Sequence, residues 1–294
     1  MEHKNNKILQ LSQLGIEERI KHISSDLWIG YEKADLILGT LEEMLLYSRS
    51  VRMANILIVG DTNNGKTSIV NRFTNLHLPK IDAETGMIYR PVLYVQSPTK
   101  PDEKLFYVNI LDELRAPFRT NDRLETNQRQ VLEILRRNQT KILIVDEVQQ
   151  ILAGNSTAQH NFRNVLKFLS NKLRICIVAV GVIEAYNALQ VDPQLANRFE
   201  PMTLSKWNLD INFQRLLKSF EVLMPLQKTS DIAINKDIVT KIYTMSEGLI
   251  GEVSNIIKRA AIMAIKDNTE KITLETLSKI NYTPPSKRRF KSFQ

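Results

Sequence analysis

Residues Gly60-Asp61-Thr62-Asn63-Asn64-Gly65-Lys66-Thr67 set two glycines with four residues between them and follow the second with a lysine and a threonine. The chemistry this spacing suits is phosphate binding. A loop that curls between two glycines turns successive backbone N–H groups inward toward anionic oxygens. Gly65 permits close approach, and Ser68 carries the chain into a helix whose N-terminus faces the anion. Lys66 can reach β- and γ-phosphates, and the Thr67 hydroxyl can ligate Mg²⁺. At ordinary residue frequencies the pattern arises by accident in roughly one chain in a hundred of this length. Here it lies between the apolar run Asn55–Val59 and a helical pattern over 66–76, the context that gives it meaning. Nucleotide binding, with ATP and Mg²⁺ as the expected ligands, is the first expectation.

A second cluster, Asp146-Glu147, ends the apolar run Lys141-Ile142-Leu143-Ile144-Val145. Strand C-termini of a parallel sheet converge on the ligand crevice, so Asp146 is expected near Thr67 and the metal. Glu147 is expected to polarise the attacking water, which points to hydrolysis rather than binding alone. In "QLANRFE", Arg198 falls between a helix and the last strand. That position suits either a solvated loop charge or an arginine that completes a neighbouring subunit's phosphate site.

These residues need a scaffold. Strand-like runs at 55–59, 91–95, 142–145, 175–180 and 201–204 alternate with helical patterns at 66–76, 101–115, 124–138, 158–171 and 183–190. Such alternation predicts an α/β fold with a parallel sheet covered on both faces. Residues 7–47 read as helical, and from about 209 only helical patterns remain, at 209–223, 235–246, 250–266 and 273–280. The predicted organisation is a helical lead-in over 1–50, a nucleotide-binding core over 51–206, a helical lid over 207–282 and a basic extended tail over 283–294 containing Lys287, Arg288, Arg289 and Lys291.

Composition narrows the class. With 43% hydrophobic and 24% charged residues the chain reads as globular, and no apolar run approaches the length of a bilayer span. The polar N-terminus has no secretory character, and the lone Cys176 sits in an apolar run, as expected for a core thiol in a reducing cytoplasm. The four histidines are scattered, so zinc-ligand spacing is lacking. A net charge of +8 suits a polyanionic partner such as nucleic acid.

Taken together these motifs resemble the TniB/TnsC-type AAA+ ATPases, target-selection regulators of transposons that use a DDE transposase. The resemblance rests on "WIGYEKADLILGTLEEML", "RMANILIVGDTNNGKTSIVNRF", "YRPVLYVQSP", "ILIVDEVQQIL", "QLANRFE" and "GLIGEVSNIIKRAAIMAI". It implies an AAA+ P-loop core with a five-stranded parallel sheet in the order 5-1-4-3-2 and a small C-terminal helical lid. It implies ATP-dependent assembly on duplex DNA as a homo-oligomer, a ring or a filament. It also implies a DDE transposase of the TniA/TnsB kind and a TniQ-like target selector as partners. By position, Trp28 and Tyr31 would help enclose the adenine, and Arg198 would act in trans. A helicase loader or replication initiator of the same superfamily is the alternative reading.

Two departures from the family pattern bear on hydrolysis. Val182 follows Gly181 where the family usually has a threonine, and Gly251 is followed by Glu252-Val253-Ser254 rather than by a phosphate-sensing arginine. For DNA, the expected contacts are Lys100, Lys104, Arg119, Thr120 and Arg123, whose side chains neutralise or hydrogen-bond phosphates without reading sequence.

Overall fold

Short runs rich in Ile, Val and Leu, each bounded by polar residues, build the sheet. A computed structural model describes residues 8–48, 53–119, 121–152, 156–190 and 196–288. The strands in chain order are β1 (Asn55–Gly60), β2 (Lys80–Ile81), β3 (Ile88–Tyr89), β4 (Val92–Gln96), β5 (Ile142–Asp146), β6 (Cys176–Gly181) and β7 (Phe199–Leu204). Five of them form a parallel sheet in the order β4-β5-β6-β1-β7. Counting only those five, the order is 5-1-4-3-2, as expected. Every residue of β5 and β6 is buried. Strands covered on both faces lack polar alternation, which is why they appear in sequence as unbroken apolar runs.

The chain divides into two compact units, residues 32–204 around the sheet and a second formed by residues before 32 and from 205 onward. In the sheet unit the helix Lys66–Leu76 follows β1, and Glu103–Glu113 and Leu124–Arg137 follow β4. Ser156–Leu173 precedes β6, and Ile183–Gln190 follows it. One feature was not legible beforehand: β2 and β3 pair as an antiparallel hairpin. Its turn is set by Asp82, whose Oδ1 accepts from the Thr85 N–H at 2.7 Å, and by Gly86 at φ +66°. Both strands are exposed, so they carry no buried alternation for a sequence reading to detect.

The second unit packs Ile16–Ser24, Ile211–Leu223, Lys236–Ser246, Ile250–Lys266 and Leu274–Lys279 around one apolar cluster. Arg19, 2% exposed, joins its first helix to the others. It donates to the Pro225 carbonyl at 2.9 Å and pairs through both terminal nitrogens with the Glu270 carboxylate. The lead-in over 1–50 is thus not one helical block. Helix Ile16–Ser24 ends at Ser25, and Leu27, expected on a helix face, lies in a non-helical stretch that ends at Tyr31. Ile23 and Ile29 enter the cluster of the second unit, whereas helix Glu32–Leu46 belongs to the sheet unit.

The tail also differs from an extended chain. Pro285–Arg288 forms one helical turn, with Pro285 supplying the fixed φ that suits a first helical position. Arg288 pairs with the buried Glu252 carboxylate, its Nη1 at 2.8 Å from Oε1 and its Nη2 at 2.7 Å from Oε2. Arg289 and Lys291 lie outside the described residues. Among the described residues no helix is long and apolar enough to cross a membrane. Cys176 is buried, and burial pushes its thiol up to about 11.

Candidate nucleotide-binding site

The loop after β1 takes its shape from its neighbours. Gly60 pairs with Leu204 of β7, and a Cβ at Gly60 would lie 2.6 Å from the Leu204 carbonyl oxygen. Backbone cannot yield there, so the position requires glycine. Asn63 at φ 62° and Gly65 at φ 85° then curl the chain through the left-handed region, and Gly65 caps helix Lys66–Leu76. Asn64 is buried and donates from Nδ2 to the same Leu204 carbonyl at 2.8 Å, which ties the loop to β7. Lys66 folds back over the loop and donates to the carbonyls of Gly60 at 2.8 Å and Asp61 at 2.7 Å. Burial pushes its pKa down, against the opposing pull of Glu147, Asp146 and Asp61. A buried ammonium satisfied only by neutral carbonyls has a stronger acceptor available in a phosphate oxygen.

Beside the loop stands a carboxylate with three donors. The Thr67 hydroxyl and the Tyr94 hydroxyl each donate to Asp146 Oδ2 at 2.9 Å, and the Glu147 N–H donates to Oδ1 at 2.8 Å. Asp146 is 2% exposed at the end of β5. A hydroxyl opposite a buried carboxylate offers the hard oxygen ligands that Mg²⁺ takes, so the residues fit that ion. Tyr94 was not anticipated, although it is the one polar side chain within Val92–Val95. Burial, then the neighbouring Asp146 charge, push its pKa up, so it remains a donor.

Glu147 leaves the strand at φ 55°. Its carboxylate accepts a hydrogen bond from Gln149 Nε2, while Gln149 Oε1 accepts from the Val182 N–H at 3.4 Å. The acidic pair, the loop and the end of β6 thus meet at the C-terminal edge of the sheet. That arrangement can hold a nucleotide's phosphates, hold a divalent cation beside them and present a carboxylate to a water.

The sequence model of the bacterial TniB protein matches residues 19–209. The chain belongs to the TniB family. Among curated proteins nothing matches the chain by sequence. Among solved structures, the ORC2 protein of Aeropyrum pernix in ADPNP–ADP complexes is 15% identical with a TM-score of 0.64, covering 88% of this chain and 71% of that one. The ORC1 protein of the same organism in complex with DNA is 12% identical with a TM-score of 0.64, covering 88% and 67%. Cdc6p from Pyrobaculum aerophilum is 16% identical with a TM-score of 0.61, covering 86% and 68%. At such identities the likeness establishes the fold alone, a parallel α/β core with a helical C-terminal region.

The remaining candidates of this TniB-family chain fall into separate places. Arg198 lies at the other end of the sheet from the loop. Its carbonyl accepts from the Asn55 N–H at 3.2 Å, and its guanidinium donates to Asn171 Oδ1 at 2.8 Å. From Asn55 to Gly60 the strand rises about 17 Å, beyond the reach of an arginine side chain back to its own loop. Tyr31 packs edge-on against Trp207 with ring centroids 5.2 Å apart, within the helical unit, and Trp28 is half-buried in that unit.

Helices Glu103–Glu113 and Leu124–Arg137 lie side by side with their N-termini adjacent. Gln128 Nε2 donates to the Tyr107 hydroxyl at 3.1 Å, and burial followed by the Glu125 charge pushes the Glu103 carboxyl up. Lys100 and Lys104 flank the first N-terminus, and Arg119 and Arg123 flank the second. Lys100, Arg119 and Arg123 are exposed and Lys104 is half-buried. Thr120 lies outside the described residues.

Proposed function

We propose that the chain is a slow ATPase of the AAA+ class that assembles with copies of itself on duplex DNA and recruits and activates a DDE transposase there. The observation that carries this reading is the pairing of a formed phosphate loop with the Thr67–Asp146 couple. The TniB family supplies the transposition context.

Lys66 exchanges the carbonyls of Gly60 and Asp61 for phosphate oxygens, and the N–H groups between Asp61 and Ser68 cradle the rest. Thr67 and Asp146 hold Mg²⁺, which when bound neutralises charge developing on the phosphates. Glu147 orients the attacking water and accepts its proton. Arg198, too far from its own loop, completes the site of an adjacent copy, so assembly and turnover are linked. Trp28 and Tyr31 are the proposed adenine contacts.

The adjacent N-termini of the two helices beside β4, with Lys100, Lys104, Arg119 and Arg123 around them, support a sequence-independent grip on the phosphate backbone. Thr120 belongs to the same proposed surface. A TniQ-like protein is the second proposed partner, and the cytoplasm the proposed location. Electron microscopy of the protein with duplex DNA and ATP tests the reading. Wild type should form rings or filaments on the DNA, and Lys66→Ala should form none. Equal assembly by Lys66→Ala would remove the loop from the account.

A further inference from the structure

The turn between β5 and the short helix Gln149–Leu152 is pinned to the end of β6, where the Val148 N–H donates to the Val180 carbonyl at 2.9 Å. Gln149 therefore stands at a fixed distance from both Glu147 and Val182. A carboxamide is donor and acceptor at once. Here its nitrogen donates to the Glu147 carboxylate, and its oxygen accepts from the Val182 N–H at 3.4 Å. Gly181 leaves the room that this bridge needs. A Cβ at Gly181 would lie 2.8 Å from Gln149 Oε1, 2.9 Å from Ala185 Cβ and 3.0 Å from Val148 Cγ1.

We propose that Gln149 is a positioning residue for hydrolysis, holding the Glu147 carboxylate in place against the end of β6. Valine carries neither donor nor acceptor, so the end of β6 has no side-chain hydrogen bond of its own to offer the reacting groups. The Gln149 amide reaches that end from the short helix after the neighbouring strand and links it to the carboxylate that faces the water. One contact then accounts for three residues, the glycine at 181, the tolerated valine at 182 and the glutamine at 149. Glu147 leaves β5 in a left-handed conformation, its carboxylate held by the Gln149 amide, and a small misplacement of such a group costs rate steeply. This inference rests on the ATPase reading above.

The test uses Gln149→Met, which keeps length and removes both hydrogen bonds, and Gln149→Asn, which keeps the amide but is one methylene too short to bridge. Two readouts are taken on the full chain. In nucleotide-free protein, hydrogen exchange of the Val182 amide should speed up about threefold or more in both variants. With ATP and duplex DNA, the nucleotide Kd should stay within about twofold of wild type while single-turnover hydrolysis falls about tenfold or more. Should the Met variant fail to fold, the Asn variant decides. Unchanged hydrolysis in a folded variant overturns the positioning role, whatever the exchange shows. An equal loss of nucleotide affinity and rate overturns it too, because the residue would then serve the fold of the loop. A wild-type chain that binds ATP and does not hydrolyse it overturns the ATPase reading itself, a result visible before any variant is compared.

Discussion

Lys66→Met separates what the phosphate loop does for the fold from what it does for a ligand. The Lys66 ammonium is 7% exposed and rests on two backbone carbonyls at 2.7 and 2.8 Å. Each such charge-assisted bond contributes about 1.5–3 kcal/mol net, and together they roughly offset the several kcal/mol that desolvating an ammonium without a carboxylate in contact costs. Its lowered pKa reflects that cost. Methionine has nearly the same length and no charge, so stability without nucleotide should change by no more than about 1 kcal/mol. With ATP and Mg²⁺ at about a hundred times Kd, wild type should gain about 2.7 kcal/mol, or about 4–5 °C in Tm for a protein of this size. The variant should gain almost nothing. The assay is thermal unfolding with and without Mg·ATP. A ligand-induced rise in the variant equal to that of wild type would refute the assignment of the loop. A collapse of the variant without ligand would refute the near-balance of terms around Lys66.

Three further outcomes follow from the same geometry. Replacing Lys100, Arg119 and Arg123 together by alanine should weaken DNA binding alike on all sequences and lower the salt slope by about 2–3, measured by fluorescence anisotropy over a salt series. Arg19→Ala should destabilise the helical unit by about 3–5 kcal/mol, because it leaves Glu270 buried without its partner. Burial alone would raise the Glu270 pKa, but Arg19, the Gln227 N–H and Lys228 outweigh it and hold the carboxyl below its ordinary value. The stabilisation from Glu270 is therefore full above the unfolded carboxylate pKa and is lost as pH falls through the lower folded value, and Arg19→Ala should flatten that acid limb in urea unfolding. Val182→Thr should raise single-turnover hydrolysis by up to tens of fold through one added hydrogen bond worth on the order of 2 kcal/mol, with assembly unchanged. An equal or slower rate would show that Val182 does not limit turnover.

The sheet was legible because its signals are local and strong. A parallel strand buried on both faces is an unbroken apolar run, and Ile142–Asp146 and Cys176–Gly181 lie within a residue of where the runs at 142–145 and 175–180 placed them. The phosphate loop was legible because Gly60 meets the Leu204 backbone where no Cβ fits and Gly65 turns through the left-handed region, so its two glycines keep their spacing. The lead-in misled because Ile16, Ile20, Ile23 and Leu27 keep helical spacing past the end of the first helix. That spacing cannot tell which of two cores receives each side chain. Tyr94, Gln149 and Asn171 were invisible for a different reason: each acts across strands or helices, on a partner 27 to 52 positions away, and polar side chains in isolation resemble a solvated surface.

The central claim is that one copy's Glu147 and another copy's Arg198 complete a single nucleotide site. Mixing Glu147→Gln with Arg198→Ala on duplex DNA tests it most directly, with ATP hydrolysis as the readout. Each variant alone should be nearly inactive. In an equal mixture, random assembly brings an intact Glu147 beside an intact Arg198 at about one interface in four, so about a quarter of the wild-type rate should return. A mixture as inactive as its components, in assemblies that form normally, would contradict the shared site.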